Sequence, residues 1–306
     1  MSFNRRSFLV FASAVCIPTL LPCAWAQVEG PQRSHVVVRV QGDRALAAND
    51  IRVNVEGKNV PVTSVRAIVE EHVPVELVVA LDDGLRGFGN NLDSIKRFVG
   101  SLPPNVSVAV GYMRNGRIMM SGGFHSSRDA AEHEIRLPIG SAGAAGSPYF
   151  CISDISKHWP SDKRATRFVL MVTNGIDPYN GRPTPMNQDS PYVDTAINDA
   201  QRGGVTVYSI FWSSRAGGGG FGYGGFSGES YLSDLSESTG GDVLSAGTMN
   251  PPSIDSYLDR FNKALQRSYL LTFDAPTRGK NLSSLKITTN ARGVKLHAPR
   301  QLRVGN

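Results

Sequence analysis

A chain of 306 residues with 41% hydrophobic and 19% charged content carries enough apolar side chain for a sizeable core, and three cysteines are too few for a disulfide-stapled scaffold. The formal net charge of +6 is scattered, with no Lys/Arg block interleaved with aromatics to track a phosphate backbone, so nucleic acid is set aside as a partner.

Residues 1–26 read as an export signal: Arg5 and Arg6 form a charged head, an apolar run follows, and Ala24, Trp25 and Ala26 supply a small-residue cleavage site. The run is broken by Pro18 and Pro22 and is shorter than the roughly 20 residues a helix needs to cross a bilayer, so no membrane span is expected after cleavage. The stretch from Asn4 through Arg5, Arg6, Ser7, Phe8 and Leu9 resembles a twin-arginine signal, with a Sec signal as the alternative; Pro22 argues against lipidation of Cys23. The expected location is the periplasm or the exterior. Cleavage would remove Cys16 and Cys23, leaving Cys151 alone, and would lower the net charge from +6 to +4, because the leader holds two arginines and no acid.

Between residues 34 and 70, short apolar or alternating runs at 35–40, 51–55 and 60–68, separated by Gly42-Asp43 and Gly57-Lys58, predict strands and turns. After Pro74 the pattern changes. Continuous Val/Ile/Leu/Phe/Tyr runs at 76–81, 106–112, 167–173 and 205–211 alternate with helical faces such as Leu92, Ile95 and Val99, or Val193, Ala196, Ile197 and Ala200. Strands of this kind, buried on both sides, predict an α/β fold with a mostly parallel sheet and helices on both faces. Asn115-Gly116 tolerates positive φ and predicts a hairpin, hence one antiparallel edge strand. A segment containing Leu232 and Leu235 stops at Gly240-Gly241, a short strand covers 242–244, and Ile254, Tyr257, Leu258, Phe261 and Leu265 line an amphipathic helix. Strand-like runs return at 269–273, 285–289 and 294–302, and this tail is expected to pair with the leading β segment. The organisation read from the chain is a signal at 1–26, a β segment at 34–70, an α/β domain at 75–268 and a β tail at 269–306.

In open α/β sheets ligands sit at the carboxyl ends of the strands. Those ends carry Asp82, Asp83, Gly84, Leu85 and Arg86; Gly146, Ser147 and Pro148; Asn174, Gly175, Ile176 and Asp177; and a glycine-rich stretch over 213–228. Here the chain resembles the von Willebrand factor type A family, in particular its secreted bacterial members, the acidobacterial form included. The resemblance covers nearly the whole expected mature chain: residues 46–65 with Glu56-Gly57-Lys58, the strand and loop over 76–86, the strand end at 168–175, and Gln266-Arg267-Ser268-Tyr269-Leu270 in the closing strand. It implies a Rossmann-like fold and an adhesion site of hard oxygen ligands suited to Mg²⁺. Of that set Asp82 is kept; the two serine positions are Gly84 and Arg86, the threonine is Ser147 or Pro148, and the later aspartate is Asn174. The implied site is therefore degenerate, with Arg86 expected to pair with Asp82 or Asp83 in place of an ion, and no cofactor is expected. The alternative is a divalent ion held by Asp82 with Asp83, Asn174 or Asp177.

Two long stretches add to the same end. Residues 216–228 carry Phe221, Tyr223 and Phe226 among glycines and read as a recognition loop or as an insertion without a partner; a match to G-x-G-x-x-G at Gly217, Gly219 and Gly222 is nearly free in such a run. Residues 177–191, with Asp177 and Tyr179, form the second. Cys151 lies in an apolar context and reads as a small core residue; His125 and His133 lack a third ligand and read as exposed polar residues. No G-x-S-x-G elbow, P-loop lysine or H-E-x-x-H is present. The expected function is an exported module, not an enzyme, that binds a protein or cell-envelope ligand through Asp83, Asp177, Tyr179, Phe221, Tyr223 and Phe226 without a complete metal site. The alternatives are a metal-dependent binding domain using Asp82, a hydrolase using Asp82, Asp83 and Asp177, and a structural envelope component.

Overall fold

The computed structural model describes residues 30–305 apart from 43, 86–87, 141–145, 181–188, 214–222, 247–249 and 277–280, and describes 223–227 without their side chains. The chain opens with strands β1 (Pro31–Gln41), β2 (Ile51–Val55), β3 (Lys58–Val60) and β4 (Val62–Ala67). The body follows as β5 (Val75–Asp82), α1 (Leu92–Ser101), β6 (Val106–Arg114), β7 (Arg117–Met120), α2 (Arg128–His133), α3 (Pro148–Lys157), β8 (Thr166–Thr173), α4 (Pro191–Gly203), β9 (Val205–Phe211), α5 (Tyr223–Ser238), β10 (Val243–Leu244) and α6 (Asp255–Gln266). The chain closes with β11 (Ser268–Pro276), β12 (Leu282–Thr289), β13 (Lys295–His297) and β14 (Gln301–Arg303).

Every residue of β5 is buried because the strand is covered on both faces. Leu77, Val79 and Leu81 enter one core, and Val78 and Ala80 enter another on the opposite side. β8 divides in the same way, with Phe168, Leu170 and Val172 on one face and Val169 and Met171 on the other. Each such Leu or Val contributes about 1.5–3 kcal/mol when fully buried, so continuous apolar runs are the physical requirement of this layer. Ile95 and Val99 of α1, Ala131 of α2 and Tyr257, Leu258 and Phe261 of α6 cover the first face. Cys151 and Ile152 of α3, Val193 and Ala196 of α4 and Leu232 and Leu235 of α5 cover the second. The sheet order is β10-β9-β8-β5-β6-β7, parallel except at β7. The antiparallel edge arises at Asn115 (φ 52°) and Gly116 (φ 74°), the paired positive-φ turn that matches strand twist. The mostly parallel, two-sided α/β sheet expected from the sequence is the one that forms.

The leading strands and the tail make a second structure together. β1 pairs antiparallel with β11, giving a sheet β13-β1-β11-β4, and β2 pairs with β12, giving a sheet β14-β12-β2-β3. Val36, Val38, Val40, Leu271 and Phe273 of the first meet Val53, Val55, Leu285 and Leu302 of the second. Val37 points the other way and joins the body core. Two runs read as single strands in the sequence are each split at a proline. The chain leaves one sheet at Pro61 to enter the other, between β3 and β4, and crosses again around Pro299, between β13 and β14. Proline has no N–H to continue a ladder, so the ladder breaks there. Among the described residues no helix is long and apolar enough to cross a membrane.

Candidate functional site

Counted along the chain, the strands of the body sheet lie in the order 3-2-1-4-5-6, so the connections after β5 and β8 leave in opposite directions and open a crevice at their carboxyl ends. Asp82 ends β5 and Thr173 ends the neighbouring β8. The Thr173 hydroxyl donates to Asp82 Oδ2 at 2.7 Å, and the Gly84 amide donates to Asp82 Oδ1 at 2.9 Å. Both oxygens of a carboxylate only 7% exposed are thus engaged inside the crevice. Burial still dominates: it raises the Asp82 carboxyl above its ordinary value against these two hydrogen bonds, and the Asp83 charge adds to the rise.

Asp83, 1% exposed, has a different set of partners. Its Oδ1 accepts from Arg136 Nη1 at 3.0 Å and from the Ile139 amide at 3.0 Å, while its backbone carbonyl accepts from the Gly140 amide at 2.9 Å. Burial alone would raise this carboxyl, but the Arg136 hydrogen bond, the Ile139 amide and the charges of Arg136 and Arg114 hold it below the ordinary value. The Arg136 guanidinium lies 3.6 Å from the centre of the Tyr112 ring. The Tyr112 hydroxyl donates to the Arg136 carbonyl at 2.8 Å and accepts from the Arg136 amide at 2.5 Å. A polar node at the end of β5 and β6 therefore clamps residues 136–140, and Leu137 and Ile139 on that clamp are 55% and 70% exposed.

The other strand-end residues serve as local braces. Ser147 is buried and caps α3, its Oγ accepting from the Tyr149 amide at 3.3 Å. Tyr149 in turn donates its hydroxyl to the Gly175 carbonyl at 2.8 Å. Asn174 Oδ1 accepts from the Ile176 amide at 3.0 Å. Asp177, 3% exposed, accepts from the Tyr179 amide at 3.1 Å and from Ser190 Oγ at 2.8 Å, which ties the start of this connection to the first turn of α4. The Tyr179 ring centre lies 5.1 Å from that of Phe150 and the residue is 59% exposed. The sequence reading of a loop out to Gly228 is corrected, because α5 begins at Tyr223. Its glycine has a packing role: a Cβ on Gly228 would stand 2.3 Å from the Asn174 carbonyl oxygen, so only glycine admits this approach of α5 to the end of β8. Arg86 and Phe221 lie outside the described residues, as do the side chains of Tyr223 and Phe226.

Mg²⁺ requires several well-placed oxygens with near-octahedral geometry. At the described positions, Asp82 has both oxygens hydrogen-bonded, Gly84 offers an N–H, Ser147 Oγ serves the α3 cap and Asn174 Oδ1 holds the Ile176 amide. Among the described residues no group of three His, Cys, Asp or Glu is placed to hold a metal. Asp83 Oδ2 is buried without a hydrogen-bond partner, but a single unengaged carboxylate oxygen at these positions does not make a Mg²⁺ shell among the described residues.

Asp82, Asp83 and Asp177 share no hydrogen-bond partner among the described residues: Asp82 is tied to the end of β8, Asp83 to Arg136 and Ile139, and Asp177 to Ser190 at the start of α4. The Cys151 thiol is buried and pushed far above its ordinary value by that burial. His125 is half-buried rather than fully exposed, with Nε2 2.6 Å from Glu134 Oε1, while His133 Nδ1 contacts the Asp129 carbonyl at 2.6 Å, so the two histidines face different partners. The sequence reading missed Thr173, Tyr112 and Arg136. Thr173 was visible as the polar end of an apolar strand; Arg136 sits in an aperiodic stretch with no signal of its partner.

No protein-family model and no curated protein matches the chain. Solved structures to which it is similar include an aerotolerance-related membrane protein of Bacteroides fragilis carrying multiple mutations to serine, at 14% identity over 62% of this chain and 98% of that one, with a TM-score of 0.43. The manganese-loaded TRAP protein of Plasmodium vivax is similar at 11% identity over 74% of this chain and 93% of that one, with a TM-score of 0.40. The VWA domain of SpRpn10 is similar at 9% identity over 62% of this chain and 95% of that one, with a TM-score of 0.41.

Proposed function

We propose that this chain is an exported binding module of the von Willebrand A type, which recognises a protein or cell-envelope ligand at the carboxyl ends of its body strands without a metal ion. The observation that carries the reading is where apolar surface is left uncovered. Of the five exposed large hydrophobic residues among the described ones, four lie on connections at this end: Leu137, Ile139, Ile176 and Tyr179. The fifth, Met119, is on the edge strand β7. Apolar and aromatic side chains held out by rigid supports are what protein interfaces use as anchors. The supports here are the Asp83–Arg136–Tyr112 clamp beneath Leu137 and Ile139, and the Asp177–Ser190 bond and Phe150 contact beneath Tyr179.

Binding is favoured over hydrolysis because the carboxylates that would do acid–base work are each spent on bracing a connection, and the one cysteine among the described residues is buried with its thiol held protonated. Export follows from the leader motif and accords with a core that needs no disulfide. The test is capture of partners from cell-envelope extract by the immobilised chain, with and without chelator. Capture of the same partner in both conditions is expected. Capture that chelator abolishes and Mg²⁺ restores would revive the metal-dependent reading, and absence of any capture would remove the binding reading.

A further inference from the structure

At the opposite end of the body sheet a groove of about 640 Å³ follows the seam between the body and the β13-β1-β11-β4 sheet. One wall is that sheet. Leu270 of β11 is the register partner of both Val37 and Arg66, so Arg66 shares a face with Arg33, His35 and Val37 of β1. The other wall is the segment leading into β8, with Lys163 and Arg164, and the start of β8 itself, with Arg167, and the turn at Gly203 and Gly204 between α4 and β9 closes one side. Five cations thus line the groove against one acid, Asp162.

The cations differ in how far they are already committed. Arg33 stands 3.8 Å from Asp274, and Arg66 donates to Glu71 Oε2 at 3.3 Å and to the Glu71 carbonyl at 3.1 Å; both are exposed ion pairs of the kind that bind weakly in water. Arg167 donates to the Gly203 carbonyl at 3.2 Å and lies 5.4 Å from the Trp159 ring centre. Lys163 and Arg164 have no carboxylate partner among the described residues. His35 senses both walls: burial first, then Arg33 from its own strand and Arg164 from across the groove, push its imidazole below the ordinary value. The carboxyl end of α4 brings about half a negative charge to the floor, less than the cationic excess, and Arg167 already covers one of its carbonyls.

We propose that this groove binds a small, multiply charged oxyanion, of the diphosphate or polycarboxylate kind, held between Arg33 and Arg66 on one wall and Lys163 and Arg164 on the other. A single charge would satisfy one wall and leave the other unanswered, whereas two oxyanion centres match two sets of cations, and guanidinium groups suit the planar oxygen pairs of such groups. The volume falls within the range of about 300–1,000 Å³ in which small ligands bind. The site is separate from the apolar rim at the far end of the strands and does not depend on the reading of that rim.

Calorimetric titration of the full chain with pyrophosphate tests this, with chloride and nitrate as monovalent controls. Saturable one-site binding is expected, weakening as salt rises, and Lys163→Ala with Arg164→Ala should weaken it about tenfold or more. Lys286→Ala with Lys295→Ala, which alters charge on the tail strands, should leave it unchanged. A second arm separates the sources of the anion: sedimentation with phosphatidic acid vesicles that pyrophosphate competes away assigns the group to a lipid headgroup, and pyrophosphate binding without vesicle sedimentation assigns it to a free solute. No pyrophosphate binding, or binding that both double variants weaken equally, would overturn the proposal.

Discussion

Arg136→Ala tests whether the polar node at the end of β5 is what holds Leu137 and Ile139 in place. The substitution removes the guanidinium from Asp83 Oδ1, its contact with the Tyr112 ring and its bond to the Leu137 carbonyl at 2.8 Å. Asp83 is then left 1% exposed with the Ile139 amide as its remaining described side-chain partner, since Oδ2 has no partner. A hydrogen bond to a charged group is worth about 1.5–3 kcal/mol. The Arg136 side chain is 41% exposed, so water screens the pair and a loss of about 1–2 kcal/mol is expected. Urea denaturation reads the global loss, and hydrogen exchange of the Ile139 and Gly140 amides, both bound to Asp83, reads the local one. Arg136→Lys keeps the charge without the planar stack and should fall between wild type and alanine. If Arg136→Ala unfolds at the wild-type urea concentration with unchanged exchange at Ile139 and Gly140, the node is not the support for this segment.

Asp82 and Asp83 should impose opposite pH dependences. Asp82 is raised above its unfolded value, so its contribution is fully present below the unfolded carboxylate value and is lost as pH rises through the folded one; Asp83 is lowered, so its contribution is present above the unfolded value and is lost as pH falls through the folded one. Urea midpoints should show Asp82→Asn gaining on wild type as pH rises from about 4 to 8, and Asp83→Asn losing to wild type as pH rises from about 2 to 4; the reverse order would refute both assignments. Gly228→Ala should cost about 1–3 kcal/mol through overpacking, because its Cβ would stand 2.3 Å from the Asn174 carbonyl oxygen, and a thermal melt matching wild type would contradict that close approach. The Cys151 thiol should resist an aromatic disulfide reagent in the native state and react on unfolding in urea; prompt native labelling would refute its burial.

The layers of the body were readable because burial on both faces forces continuous apolar strands, as in β5 and β8, and because Asn115-Gly116 has few conformations to choose from. The sheet crossings at Pro61 and Pro299 were less readable: apolar content runs through both prolines, and only the missing N–H marks the change of sheet. At the site, topology placed Asp82 at a strand end, but its closure depends on Thr173, 91 residues away, and the Asp83 partner Arg136 is 53 residues away. Contacts of that span leave no periodic trace. Nor does composition show that both oxygens of Asp82 are hydrogen-bonded, because that rests on the Gly84 backbone amide and the distant Thr173 hydroxyl.

The central claim is recognition through an apolar rim on polar braces, independent of a metal, and Leu137→Asp with Ile139→Asp addresses it most directly. Both side chains are more than half exposed, so the double variant should unfold at the wild-type urea concentration. With the partner captured from envelope extract, calorimetry in the presence of chelator should give wild-type binding for the unaltered chain and a loss of about tenfold or more for the double variant. Equal affinity for the two chains, or binding by the unaltered chain that appears only after Mg²⁺ is restored, would contradict the account.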